Sequence, residues 1–444
     1  VENTAARILL KNGNVFDVKD GDVKSNFDIL IEGDIIKEVG KIDLGGESGV
    51  KQIDSSGKYI IPGLFECHAH LTVLTDQPEE VKKEIRKECG IEQNTEDKDL
   101  ENQVLKEFVR RGITQIRDCG GPVNTLKAMR DKISQQQHVG PDLFYAGPML
   151  DKSPLTGDKN NERYPGFTVA VDTKADAEKV IEKISINGAS LVKAFSKLDQ
   201  DVLTHLIKNA KKHNLPVTYD PGKTFFHPIP VDKAVDLGIR CIEHGKSPWY
   251  IVLKDDLKTE HDSLVDADPQ AKEAFVEKVF TIGVDSISET KLRQLIEKMA
   301  DNDVYVCPTL RVFRHYAEHP EQMSEKEPEK FKKRFEILYE VAQVITKEMA
   351  KGGLKLLVGT DSWSPVFTLE EMEELKGVGL SEAEIIKGAT IYPAQWLEIA
   401  DEYGSISEGS KANILILREN PLKQIKNTRT TETVLKNGVV AFQY

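Results

Sequence analysis

The chain has 444 residues, 39% of them hydrophobic, and a formal charge of -13, which is enough apolar content for one large domain plus a smaller one and excludes a disordered protein. That acidity argues against a nucleic-acid partner or an anionic membrane surface, since both repel the average surface. No apolar stretch reaches transmembrane length, and Cys67, Cys89, Cys119, Cys241 and Cys307 form no CxxC or short pair, so free buried thiols are expected rather than a disulfide framework or a structural zinc site.

Residues 7–58 read as short strands joined by Gly and Asn turns, and 404–444 repeat the pattern. Neither end carries enough strands alone, so the two are expected to build one small β-sandwich domain, 1–58 plus 404–444. Residues 59–403 alternate strand-like and helix-like segments. Strands are expected at 59–61, 114–117, 143–146, 191–193, 216–219, 240–243, 304–307 and 356–358, with helices at 180–184, 201–212, 291–299, 331–350 and 369–376. Eight strands in βα order, with no GxGxxG after an early strand, predict an α/β fold of the TIM (β/α)8 barrel type rather than a doubly wound sheet.

The most informative stretch is IPGLFECHAHL, 61–71, which sets Glu66, His68 and His70 at alternate positions. In a strand these share a face, so both imidazoles point at one metal or substrate; the plainer alternative is two satisfied histidines. Lys193, Asp220, His244 and Asp361 each stand at or just past the end of an expected strand, where a barrel collects its active site. Singly, each has an ordinary reading: a solvent-facing amine, a cap of the Pro221-Gly222 turn, a helix cap and an N-cap. Together they suggest a metal centre. Neutral imidazoles suit zinc and other borderline ions, and Asp361 is a candidate ligand and proton acceptor.

The stretch PGLFECHAH resembles the PGhhDxHxH signature of the metal-dependent amidohydrolase superfamily, with Glu66 in place of the usual Asp. RGITQIRDCGG (111–121), GIRCIEHG (238–245), GTDSW (359–363) and ATIYPAQWLEIADEYGSISEGSKANILIL resemble further motifs of its imidazolonepropionase-like and Xaa-Pro-dipeptidase-like branch. The resemblance implies one or two divalent ions held by His68, His70, an N6-carboxylated Lys193, two further histidines and Asp361. Zinc is expected first, with Mn, Co or Fe as alternatives. It implies hydrolysis of an amide-like C–N bond in a small molecule: an acylated amino acid, a dipeptide, a cyclic amide or a xenobiotic amide or carbamate. Metal-dependent ester or organophosphate hydrolysis, a lyase, and a degenerate binding barrel are the alternatives.

One departure stands out. At the fifth strand the branch has a histidine, whereas this chain reads VTYDPGK with Asp220 at that position. Asp220 serves as the ligand, or His227 replaces it from an altered loop, or Asp220 only caps its turn and the site holds one metal. Asp361 and His244 are the candidate catalytic groups. Arg311 and Arg314 are candidates to clamp a substrate carboxylate, in competition with Lys223. Tyr219, Trp249 and Trp363 are candidates for the wall of the site. Ion pairs with neighbouring acids and packing under long loops are the ordinary readings. VENTAARILL lacks the order of a signal peptide, so a cytoplasmic location is expected, with export after leader removal and a homo-oligomer left open.

Overall fold

The computed structural model describes residues 7–45, 48–75, 77–92, 99–156, 158–222, 225–324 and 326–444. Five strands come from the first part of the chain: β1 (Arg7–Phe16), β2 (Val23–Glu32), β3 (Ile35–Gly40), β4 (Val50–Asp54) and β5 (Tyr59–Pro62). Ten short strands follow through the middle: β6 (Leu64–Ala69), β7 (Ile113–Asp118), β8 (Asp142–Tyr145), β9 (Met149–Asp151), β10 (Thr168–Ala170), β11 (Val192–Phe195), β12 (Val217–Asp220), β13 (Cys241–Glu243), β14 (Tyr305–Cys307) and β15 (Lys355–Leu356). The chain ends on β16 (Ile414–Leu417), β17 (Thr431–Lys436) and β18 (Val439–Gln443).

Both ends form one sheet in the order β18-β17-β16-β5-β1-β2-β3, with β4 also paired to β1. Bulges after Leu10 and Gly13 bend β1. The sheet folds over Ile8, Leu10, Ile29, Ile31, Ile60, Ile414, Ile416 and Leu435 as a sandwich. Tyr59–Pro62, expected to open the barrel, instead pairs antiparallel with β16. The chain crosses between sheets at Gly63, whose N–H donates to Asn413 O while Leu64 N–H donates to Gly112 O. A Cβ at Gly63 would lie 1.9 Å from Thr114 Oγ1, so only glycine lets the crossing pass so close. Asn413 also bonds Asp142 at the base of β8, tying sandwich to barrel.

The barrel is the parallel series β6-β7-β8, then β11-β12-β13-β14-β15, with β9 paired to β11 and β10 paired to β9 at the outer edge. It closes through Cys67 N–H to Val358 O and a parallel bridge between Ala69 and Ser362. Phe65, Cys67, Leu191, Cys241, Cys307 and Leu357 fill its interior, with Trp396 below. The helices pack outside on a single large apolar core. All five cysteines are free and buried. No described helix is long and apolar enough to cross a membrane.

Candidate metal centre

At the C-terminal rim of the barrel six side chains from five strand ends converge. His70 Nε2 lies 3.1 Å and His68 Nε2 3.5 Å from Asp361 Oδ1. Lys193 Nζ lies 3.5 Å from His68 Nε2 and 3.2 Å from Asp220 Oδ2, which is itself 3.2 Å from His244 Nε2. The ligating atoms of His68, His70 and Asp361 all fall within 4.8 Å of one another. Lys193, His68 and Asp220 are buried, whereas Asp361 keeps 30% of its side chain exposed to the mouth.

The backbone is bent to make this possible. Ser196, His244, Thr309 and Asp361 all adopt left-handed φ between 41° and 67° just past strand ends around the centre. Such conformations cost about 1–3 kcal/mol each and cluster at functional sites. A bulge in β6 between Glu66 and Ala69 breaks the expected alternation. Glu66 therefore leaves the histidine face and accepts from His68 N, Thr360 N, Thr360 Oγ1 and Thr368 Oγ1, clamping β6 to the eighth-strand loop. His70 lies beyond the strand, at the start of the turn Leu71–Leu74.

Each imidazole is held by its other nitrogen. His68 Nδ1 lies 2.8 Å from Glu243 Oε2, His70 Nδ1 2.9 Å from Gly120 O and His244 Nδ1 2.7 Å from Thr309 Oγ1. Such partners fix ring orientation and leave Nε2 for a ligand. Burial and the nearby Lys193 push His68 down to about 4, so its ring is neutral at pH 7, the form that binds a metal. Burial opposes the charge on Lys193 and on Asp220, yet each holds the other ionised: the ammonium is raised and the carboxyl lies well below its ordinary range. Asp361 is likewise opposed by burial and held ionised by His68, His70 and His244.

Asp220 is bonded on both of its oxygens. Its Oδ1 accepts from Gly222 N at 2.7 Å, capping the turn, while Oδ2 faces Lys193 and His244. The ring of His227 packs on Tyr250 with centroids 5.0 Å apart, and His227 is absent from the described clusters whose ligand atoms lie close enough together to hold an ion. Tyr219 points to the opposite side of β12, buried in the outer core, with its hydroxyl donating to Ile229 O. Trp249 donates to Ser286 Oγ and packs between Phe225 and Phe280, filling the space under its loop. Arg311 pairs with Glu370, and Arg314 with Glu318 and Glu374, so both guanidiniums are engaged by the protein's own acids. Trp363 is half-buried against the outer core, and Lys223 lies outside the described residues.

Three features escaped the sequence reading. Glu243 and Arg117 form a buried ion pair beneath His68; the signal was a charge inside each of the apolar strands IRD and IEH. Phe313 sits over His244 with ring centroids 6.1 Å apart, and Tyr316, one turn along the same helix, feels the charge of Asp361. Glu371 accepts from the backbone N–H of Leu310 and Arg311, fastening that helix (Leu310–Glu318) above the centre.

Burial pushes Glu371 up to about 8. A carboxyl raised in the folded state contributes stability below its unfolded pKa and loses it as pH rises through the folded value. The expected result is that stability declines between about pH 4.5 and 8, and that Glu371→Gln flattens this part of the slope. Urea midpoints of both proteins across that range check it; parallel curves would contradict the assignment.

A match to the amidohydrolase family covers residues 59–219 and 335–441. The dihydroorotase of Trichlorobacter lovleyi is 41% identical over 64 residues, which span only 14% of this chain and 15% of that one. Among solved structures, a prolidase complexed with N-methylphosphonate-L-proline superposes with TM-score 0.73 at 19% identity, covering 99% of this chain and 100% of that one. A Xaa-Pro dipeptidase with methionine bound in its active site gives TM-score 0.71 at 18% identity over 99% and 100% of the two chains. The chain belongs to the amidohydrolase family.

Proposed function

We propose that this protein hydrolyses an amide-like C–N bond in a small molecule, at a centre that His68, His70, Lys193, Asp220, His244 and Asp361 form around one or two divalent ions. The observation that carries the reading is the convergence of these donors within 3.5 Å links at the rim. The donor set fits: neutral imidazoles with carboxylates suit zinc first, and Mn, Co or Fe as alternatives. Two carboxylates also favour somewhat harder ions than an all-histidine set. His68, His70 and Asp361 would hold one ion and Asp220 and His244 a second, and Lys193, once its free amine has been N6-carboxylated, would add a further oxygen ligand. When bound, the ion supplies Lewis acidity toward a carbonyl oxygen and lowers the pKa of water.

The chain's own residues do the rest. Asp361, ionised and open to the mouth, takes a proton and returns it to the departing nitrogen. In a centre with a single ion, His244, its Nδ1 held by Thr309 Oγ1, would instead direct Nε2 toward the oxygen where charge develops. Phe313 and Tyr316 cover this side, and Phe167, whose ring centroid is 5.6 Å from that of His70, covers the other. An apolar wall of this kind suits a dipeptide, an acylated amino acid or a xenobiotic amide, in keeping with the likeness to a prolidase and a dipeptidase.

Chelation followed by assay on dipeptides, N-acyl amino acids, cyclic amides, carbamates and esters tests the proposal. The stripped protein is expected to lose amide hydrolysis and to recover it with Zn, Mn or Co at stoichiometric loading. Full activity without metal would overturn it. Turnover of esters alone would move the reading to an esterase on the same barrel.

A further inference from the structure

Beneath the metal centre, the barrel interior holds a guanidinium for which the proposed chemistry has no use. Arg117, on β7, is fully buried and committed on every side. Its Nη2 donates to both oxygens of Glu243, at 2.8 Å and 3.0 Å. Nη1 faces Cys241 Sγ at 3.4 Å, Nε donates to Cys67 O, and the guanidinium lies over the Trp396 ring, 4.9 Å from its centroid. One side chain thus ties β6, β7, β13 and the helix Ile391–Trp396 together around a single carboxylate.

That carboxylate is the partner of His68. Glu243 Oε1 also accepts from Thr218 Oγ1, and Oε2 lies 2.8 Å from His68 Nδ1. With donors from Arg117 and Thr218 already on it, Glu243 stands as an acceptor toward His68. The shared proton then sits on Nδ1, and the Nε2 lone pair is left facing Lys193 and Asp361. A lysine at position 117 would carry the charge but could not span Cys67 O, Cys241 and both oxygens of Glu243 at once, because it lacks the rigid planar fork.

We propose that Arg117 is a positioning residue of the metal centre: through Glu243 it fixes the rotation and tautomer of His68, and with them the affinity of the site for its ion. The inference rests on the reading that His68 is a metal ligand. It reaches the ion through two residues and touches neither metal nor substrate.

The test is a zinc titration against a competing chelator, on apo protein, for wild type, Arg117→Met, Arg117→Lys, Glu243→Gln and the double variant Arg117→Met with Glu243→Gln. Circular dichroism of each apo form and the visible spectrum of each cobalt-loaded form accompany it. Arg117→Met is expected to weaken zinc binding about 10–100-fold and to alter the cobalt spectrum. Arg117→Lys should recover part of the loss, and the double variant should be no weaker than the worse single one, since both changes act on one path. Should Arg117→Met fail to fold, Arg117→Lys and Glu243→Gln carry the comparison. Folded Arg117 variants that bind zinc within twofold of wild type would overturn the proposal, as would losses that multiply in the double variant. A wild-type chain that takes up no divalent ion overturns this inference and the proposed function together, whereas unchanged affinity in the variants overturns this inference alone.

Discussion

Asp361→Asn lowers kcat/KM by about 10²–10⁴-fold while leaving the fold intact. Asn has nearly the same volume as Asp and shares its tolerance for the left-handed region, which matters because φ at this position is 53°. The amide keeps one oxygen near His70 Nε2 but can neither take the proton proposed for Asp361 nor match a carboxylate in its proposed role as a ligand. The proton-transfer loss should therefore appear in kcat, and the ligand loss in zinc stoichiometry. Steady-state kinetics with metal analysis on the same preparation separates the two. Activity within tenfold of wild type at full metal loading would remove Asp361 from both roles.

Gly359→Ala is expected to destabilise the protein by about 1–3 kcal/mol or more and to lower metal uptake by the proposed centre. The reason is steric. A Cβ at this position would stand 2.5 Å from Cys307 Sγ, 2.7 Å from His68 N and 2.9 Å from Cys67 C. Two of these three atoms are backbone of β6, the strand that carries His68, and that strand is fixed here by Cys67 N–H to Val358 O and by the Glu66 clamp. The added methyl can be accommodated only by parting the first and last barrel strands beside His68 and Asp361. Gly377→Ala, at the end of the helix Pro365–Gly377 with open space around the new carbon, is the matched control and should be nearly silent. Thermal melts and bound-zinc measurements on the pair check this; equal behaviour of the two variants would refute it.

Much of this centre was legible in the sequence for a simple reason. Side chains at the ends of successive parallel strands meet at one rim, so strand order together with the family resemblance was enough to place His68, Lys193, Asp220, His244 and Asp361 side by side. What strand order does not carry is which way a side chain turns once the regular pleat fails. The bulge in β6 sends Glu66 outward to Thr368 although its spacing from His68 implies a shared face. Tyr59–Pro62 reads as a barrel strand by composition, yet its partner is decided by β16, far away in the chain. Tyr219, Trp249 and Arg311 carry the right chemistry for a substrate wall. Their burial and their bonds to Ile229 O, Ser286 and Glu370 depend on packing that no local window contains. Arg117 and Glu243 were visible only as charges in apolar strands, which announces a partner without naming it.

The sandwich has a consequence for how the protein is made. Strand β5 meets its neighbour β16 about 350 residues later in the chain, and at a synthesis rate of about 5–20 residues per second the wait is of the order of 20–70 s. Throughout that interval the edge of β5 that β16 will cover, carrying Ile60 and Ile61, lacks its partner and is prone to aggregate. The β1–β2–β3 hairpins can form early, because their contacts are local. Nascent chains arrested before Ile414 should accordingly be captured by holdases and cut by protease within the 59–62 segment, and both susceptibilities should vanish once β16 has emerged.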